Sequence, residues 1–65
     1  MKKQTITAIQ NRLNRQETSF FIGAYYYDCD INGMIRRREQ VAGRTPTSDW
    51  ERVASWNPST WTVEA

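Results

Sequence analysis

Apolar residues recur at helical spacing near the start of the chain. Ile6, Ile9 and Leu13 stand at positions i, i+3 and i+7, so they share one face of a helix. Polar residues fill the positions between them, and the hydroxyl of Thr5 suits the first turn as a cap. The pattern predicts a helix over residues 5–16. The β-branched residues at its start leave a strand as the alternative.

A run of aromatic and β-branched residues follows over residues 19–31 and predicts a β-strand. Residues 34–42 predict a second strand, which Gly43 and Pro46 end. Asn32-Gly33 stands between the two strands, and this pair favours a two-residue type I′ turn. The sequence therefore predicts an antiparallel β-hairpin.

Residues that follow the hairpin carry the signals of a short helix. Ser48 and Glu51 form the Ser-x-x-Glu pattern of a capping box. Trp50, Val53 and Ala54 recur at i, i+3 and i+4, which is one helical face. The Asn-Pro pair at residues 57–58 ends this helix, because proline disfavours helical backbone in the residue before it.

The last few residues predict a short strand, because Trp61 and Val63 alternate with polar residues. The whole order is helix, strand, strand, helix, strand. It predicts one small α+β domain over residues 1–65: an antiparallel hairpin sheet with an N-terminal helix and a short C-terminal helix. A chain of this size buries only about 60% of its unfolded surface. Self-association into a small homo-oligomer would therefore add stability.

The turn region also fits a calcium-binding pattern, D-x-[DN]-x-[DN]-G-x5-E. Asp28, Asp30, Asn32 and Glu39 supply oxygen ligands at its first, third, fifth and last positions. Such a loop needs a helix on each side. Here aromatic residues precede it, and glycine and proline follow closely. The flanking residues favour the hairpin and leave a calcium site as the alternative.

The predicted hairpin places candidate binding residues together. A two-residue turn would set Tyr27 opposite Arg38 and Cys29 opposite Arg36. Side chains alternate between the faces of a sheet, so tyrosines and arginines would share one face. The candidate binding residues of that face are Tyr25, Tyr27, Arg36 and Arg38. The opposite face is the predicted core face, with Phe20, Ile22, Ala24, Tyr26, Ile35 and Val41.

Tyrosine and arginine side chains on one face suit an anionic ligand. Aromatic rings stack on bases, and guanidinium groups bind phosphates through paired hydrogen bonds. The combination fits a nucleotide, a nucleic acid or an acidic protein surface. Packing of the tyrosines under a helix, with arginine stems along the sheet edge, is the alternative. Trp50 is a further candidate for partner binding, although a core or interface position suits it too.

Composition narrows the chemistry. The chain has no histidine, which removes the commonest general base and the commonest metal ligand. Cys29 is the only cysteine, so it can form neither an internal disulfide nor a zinc site. We therefore expect no cofactor and no enzymatic activity. No stretch approaches the ~20 apolar residues that cross a bilayer. We expect a cytoplasmic protein without a membrane partner.

Three short segments resemble parts of a known family in their order and approximate spacing: Gly23-Ala24-Tyr25, then Gly33, then Asp49-Trp50-Glu51 followed by Val53. Over about half of the chain, they resemble the C-terminal half of phage proteins that counter Thoeris defence by sequestering a cyclic nucleotide signal. This chain lacks the tryptophan and the acidic-apolar segment expected before Asp49-Trp50. No site residue is therefore carried over.

A second, shorter resemblance is gapped. Gln4-Thr5-x-x-Ala8-Ile9-Gln10 and Phe21-Ile22-Gly23 are similar to the small lambdoid Kil peptides that block cell division. Together the resemblances imply a phage-type inhibitor that acts by binding inside the host bacterial cell. Its partner would be a nucleotide signalling molecule or a bacterial host or defence protein. A small nucleic-acid-binding regulator and a calcium-binding module are the alternative functions.

The effect of calcium on stability distinguishes the hairpin from the calcium-binding loop. If residues 28–39 form a hairpin, neither calcium nor EDTA should move the melting temperature, because only a ligand that binds the native state raises its stability. Thermal unfolding followed by circular dichroism, with and without calcium, measures this. A rise in melting temperature that EDTA reverses would favour the calcium loop.

Overall fold

One helix is followed by five strands in the structure, a computed structural model that describes residues 1–65. Helix α1 spans Lys3–Asn14, and the strands are β1 (Ser19–Ile22), β2 (Tyr25–Cys29), β3 (Met34–Glu39), β4 (Glu51–Asn57) and β5 (Thr62–Glu64). The strands pair in chain order, each antiparallel to the next. The predicted α+β class, N-terminal helix and antiparallel hairpin sheet are confirmed.

Helix α1 covers one face of the sheet. Ile9 and Leu13 are buried there, and Ile6 packs beside them. The sheet curls so that both edge strands, β1 and β5, contact the helix. The side-chain oxygen of Gln10 accepts a hydrogen bond of 2.9 Å from the backbone amide of Val63. The helix thus satisfies a polar group on an edge strand, where unpaired amides attract other strands.

The helix begins and ends two residues before the predicted bounds. Its N-cap residue is Lys2, and no side chain caps the first turn. Thr5 therefore lies inside the helix and does not cap it. After the helix, Gln16 adopts a φ of 65°, in the left-handed region in which helices commonly end.

The aromatic run over residues 19–31 forms two strands, where the sequence predicted one. A tight turn joins them at Gly23, whose φ of 59° lies in the region that favours glycine. The chain folds back, so Phe20 pairs with Tyr27, and its neighbour Phe21 pairs with Tyr26. A single strand over this whole run would have been longer than most strands in globular proteins.

Strands β2 and β3 form the predicted hairpin, but the predicted register is wrong by one residue. Tyr27 pairs with Arg37 rather than with Arg38, and Cys29 pairs with Ile35. A shift of one residue moves every side chain of a strand to the other face relative to its partner. The structure therefore reverses the predicted faces of β2: Tyr27 and Cys29 lie on the core face with Ile35, and Tyr26 lies on the opposite face.

Asp30 accounts for the shift, because its carboxylate builds a longer turn. One oxygen accepts hydrogen bonds of 2.9 Å from the backbone amides of Asn32 and Met34. The backbone amide of Asp30 also donates to the carbonyl of Met34 at 3.0 Å. Residues 31–33 lie between, with Gly33 at a φ of 82°. A loop of three residues with a left-handed glycine is the next most common hairpin connection.

The predicted C-terminal helix over residues 48–57 is wrong, because Glu51–Asn57 form strand β4 between β3 and β5. Ser48 does not cap a helix. Its hydroxyl instead accepts a hydrogen bond of 2.8 Å from the backbone amide of Glu39. So short a helix has little stability of its own. Pairing with two strands satisfies the same backbone groups. The predicted short final strand is present as Thr62–Glu64.

A β-bulge accounts for the adjacent apolar residues Val53 and Ala54, which completed the helical pattern in the sequence. Ile35 pairs with Ala54, but the next residue, Arg36, pairs with Arg52. Val53 is therefore an extra residue, and it packs against the core although it lies next to Ala54. A bulge breaks the two-residue alternation of a strand. The broken alternation resembles a helical pattern in the sequence.

The core lies between α1 and the sheet. Its eight buried residues are Ile9, Leu13, Phe20, Tyr27, Cys29, Ile35, Ala54 and Val63. No helix covers the opposite face of the sheet, which we call the open face. No helix in the structure has the length and apolar character that crossing a membrane requires.

Gly33 gives a test of the turn. Its φ is 82°, and an added Cβ would lie 2.6 Å from the carbonyl oxygen of Trp56. We expect Gly33→Ala to lower the free energy of unfolding by at least about 2 kcal/mol, since the left-handed region costs roughly 1–2 kcal/mol and the clash adds to it. Urea unfolding measures this.

Gly43→Ala is the matched control, because Gly43 has a φ of 81° and no atom within 4 Å of its added Cβ. The difference between the two variants reports the contact with Trp56. Equal losses in both variants would show that this contact does not constrain the turn.

Candidate functional site

A row of aromatic and arginine side chains crosses the open face. Phe21 on β1 pairs with Tyr26 on β2, and Tyr26 pairs with Arg38 on β3. Trp50, directly before β4, stacks beside Arg38 with its ring centroid 4.5 Å from the guanidinium carbon. We call these four residues the aromatic row.

The rings of the aromatic row contact one another. The ring centroids of Phe21 and Tyr26 are 4.6 Å apart, and those of Tyr26 and Trp50 are 5.8 Å apart. The guanidinium carbon of Arg38 lies 5.6 Å from the centroid of Tyr26. These separations are in the range of favourable aromatic and cation–π contacts. The row is thus a continuous π surface, of which Phe21 is 36% exposed.

A second row runs beside the first across three strands. Asp28 on β2 pairs with Arg36 on β3, and Arg36 pairs with Arg52 on β4. The Nε of Arg36 donates to Asp28 at 3.1 Å. The Arg36 guanidinium also lies 4.5 Å from the ring centroid of Trp50. We call Asp28, Arg36 and Arg52 the charged row.

The arginines of the open face keep free hydrogen-bond donors. Arg36 donates only through Nε, to Asp28, and Arg38 donates only through Nε, to Gln40 at 2.9 Å. Their terminal nitrogens bond to no other group of the chain, and Arg52 forms no ion pair. Guanidinium groups held in place by stacking, with free terminal donors, are suited to bind an anion.

The structure separates the residues that the sequence placed on one face. Arg36, Arg38 and Trp50 lie together on the open face, as their contacts show. Tyr25 and Tyr27 face α1 instead, and Tyr27 is only 1% exposed. The prediction that these tyrosines share a face with Arg36 and Arg38 is therefore wrong. The longer turn at Asp30 is the physical reason, because it reverses β3 relative to β2.

Arg37 replaces the expected arginines beside these tyrosines. It donates to Glu51 at 3.0 Å and to the Tyr27 hydroxyl at 3.3 Å, and it lies 4.0 Å from the Tyr25 ring centroid. Burial alone would lower the pKa of Arg37, but the hydrogen bonds to Tyr27 and Glu51 raise it above its ordinary value. A cleft of about 400 Å³ lies beside this cluster. The Arg37 guanidinium is therefore engaged mainly by groups of the chain itself.

The candidate binding residues from the sequence did not include Tyr26 and Arg52, which lie on the open face. Tyr26 was placed on the core face, and Arg52 lay within a predicted helix. The signal for Tyr26 was Asp30, whose side chain favours a longer turn than Asn-Gly alone does. No sequence signal identified Arg52, because the bulge at Val53 depends on the pairing with β3.

The structure does not bring the candidate calcium ligands together. Asp28 is paired with Arg36, and Asp30 accepts backbone amides of its own turn. Glu39 lies at the far end of β3, five residues and roughly 17 Å from the turn at the usual rise of a strand. The structure contains no group of three or more acidic or cysteine side chains placed to hold a metal ion.

No protein-family model matches this chain, and neither does any curated protein or solved structure. The segments that resemble the phage proteins lie apart from one another in this fold. Gly23 and Gly33 occupy turns with positive φ, whereas Trp50 lies on the open face. The geometry of the open face is thus the basis for inferring function.

The reactivity of Cys29 provides a test of its buried position in the sheet. Burial, aided by the negative charges of Asp30 and Asp28, raises the pKa of the Cys29 thiol above its ordinary value. The thiolate is the nucleophile. We expect slow alkylation by iodoacetamide in the native state at pH 8 and fast alkylation in urea, measured by mass spectrometry. Equal rates would contradict the buried position.

The same shift sets the direction of a pH dependence. Because the folded-state pKa of Cys29 is raised, its contribution to stability is full below the ordinary thiol pKa of roughly 8.5. That contribution is lost as the pH rises through the folded-state pKa.

Proposed function

We propose that this chain is a binding protein without enzymatic activity, and that its open face binds single-stranded nucleic acid. The observation that carries the proposal is a continuous aromatic row bordered by arginines with free donors. Bases of any sequence stack on aromatic rings, and basic grooves follow the phosphate backbone. Exposed bases of single strands bind aromatic side chains on sheet surfaces in the same way.

The shape of the open face favours an extended ligand. The aromatic row crosses from β1 to the start of β4, a distance of roughly 14 Å at the usual spacing of neighbouring strands. This length accommodates a few nucleotides. Small-molecule sites are instead clefts of about 300–1,000 Å³ that enclose their ligand. The rings of Phe21, Tyr26 and Trp50 lie on the sheet surface and line no such cleft.

The local charge also supports the proposal. Arg36, Arg38 and Arg52 outnumber Asp28 in the two rows, so these rows alone carry a net charge equal to the +2 of the whole chain. Basic charge is thus concentrated beside the rings. Phosphate contacts of this kind make binding fall steeply with salt concentration.

A free nucleotide signal is the second candidate ligand. Trp50 lies 4.5 Å from both Arg36 and Arg38, so one base and one phosphate can be held at this point alone. Sequestration of such a signal in a bacterial cell would make the chain a phage-type inhibitor that acts by binding. Affinity that rises with oligonucleotide length favours nucleic acid, and equal affinity for a mononucleotide favours the signal.

Trp50 provides the direct test. We expect Trp50→Ala to weaken binding of a fluorescein-labelled oligothymidylate by roughly 5- to 150-fold, because stacking of one base contributes about 1–3 kcal/mol. Fluorescence anisotropy measures the affinity, and circular dichroism checks the fold. Trp50→Phe should keep part of the affinity, since a smaller ring still stacks.

Trp61→Ala is the matched control, because Trp61 is 60% exposed in the β4–β5 turn, away from the aromatic row. It should bind like the unchanged protein. Equal affinity of the Trp50→Ala variant and the unchanged protein would overturn the proposal, and so would an affinity that does not change with salt.

A further inference from the structure

Two like charges face each other on the open face. Arg36 on β3 and Arg52 on β4 are direct cross-strand partners. Side chains in this relation approach within about 5 Å at Cβ, and like charges there destabilise a sheet. The arrangement therefore has a cost that the fold itself does not require.

The chain neutralises only one of these charges. Asp28 pairs with Arg36 through a single contact of 3.1 Å, and the Asp28 side chain is only 28% exposed. Arg52 has no acidic partner. The terminal nitrogens of Arg36 also have no acceptor in the chain. The two paired arginines thus keep donors that could bind one further anion.

The bulge in β4 creates this pairing. With regular pairing after Ile35 and Ala54, Arg36 would lie opposite Val53. The extra residue moves Arg52 into that position instead. Bulges often redirect a side chain near a functional site.

We infer that Arg36 and Arg52 form a phosphate-binding pair, and that this pair holds the phosphate of a nucleotide whose base stacks on Trp50. The inference rests on the proposed function of the open face. Arg52 lies two residues from Trp50 along the chain, a separation of roughly 7 Å in a strand. The sugar of a nucleotide separates its base from its phosphate by a comparable distance. Bases would then lie along the aromatic row and the backbone along the charged row.

Stability and affinity should change in opposite ways when the pair is broken. Arg52→Gln removes the repulsion, so its melting temperature should not fall, while its affinity for oligothymidylate should fall roughly tenfold. A purely structural arginine would lose stability together with affinity. A clear drop in melting temperature would overturn the inference.

Sharing of one phosphate has its own signature. Arg36→Gln with Arg52→Gln should weaken binding by less than the product of the two single effects, because both side chains contact the same group. The slope of log affinity against log salt should fall by about 0.7, the value for one phosphate on a single strand. Arg44→Gln, in the loop before β4, is the control that removes the same charge and should change neither quantity. The inference would be overturned if the two single losses of affinity combined additively in free energy and if the salt slope changed no more than in Arg44→Gln.

Inorganic pyrophosphate separates this inference from the proposed function. It should raise the melting temperature of the unchanged protein above that in sodium chloride of equal ionic strength, and this rise should vanish in the Arg36→Gln/Arg52→Gln variant. A pyrophosphate effect without oligonucleotide binding would remove the nucleic-acid function and keep the phosphate pair. Oligonucleotide binding without a pyrophosphate effect, and with unchanged affinity in the double variant, would support the nucleic-acid function and overturn the phosphate-binding pair.

Discussion

The carboxylate of Asp30 holds the central turn of the sheet, and the arrangement of both faces depends on it. Its acceptance of two backbone amides at 2.9 Å makes the loop three residues long and fixes the register of β2 against β3. Gly33 completes this turn, because its positive φ and its close approach to Trp56 leave no room for a side chain. Every later strand is aligned on β3, so the register passes from this turn through β4 to β5.

The register divides the aromatic residues between the core and the open face. Tyr27 enters the core, where a chain of this length needs large side chains to bury enough surface. Its neighbour Tyr26 points to the open face and meets Trp50. The arginine run divides in the same way, since Arg37 bonds to Tyr27 and Glu51 within the fold, whereas Arg36 and Arg38 stack on Trp50.

The open face combines favourable stacking contacts with a repulsive pair of arginines. A helix covers one face and satisfies an amide of the edge strand through Gln10, but the chain has no second helix for the other face. Stacking between arginine and tryptophan partly covers that surface, at a benefit of roughly 0.5–1 kcal/mol for each exposed contact. The cross-strand pair of Arg36 and Arg52 acts against this benefit. A ligand with a phosphate group would remove that cost.

The sequence by itself determined the elements that depend on local spacing. The stripe of Ile6, Ile9 and Leu13 specified the first helix, and Asn32-Gly33 located the central turn, because short-range periodicity and turn preference act within a few residues. Arg36, Arg38 and Trp50 were identified as candidate residues, but their common location was not. The tertiary structure decided the register at Asp30, the strand in place of the second helix, and the bulge that sets Arg52 opposite Arg36. The strand and the bulge depend on hydrogen bonds between β4 and its neighbouring strands, and such pairings override weak local preference. The register depends on the two backbone amides that the Asp30 carboxylate accepts, which the turn preference of Asn-Gly alone does not indicate.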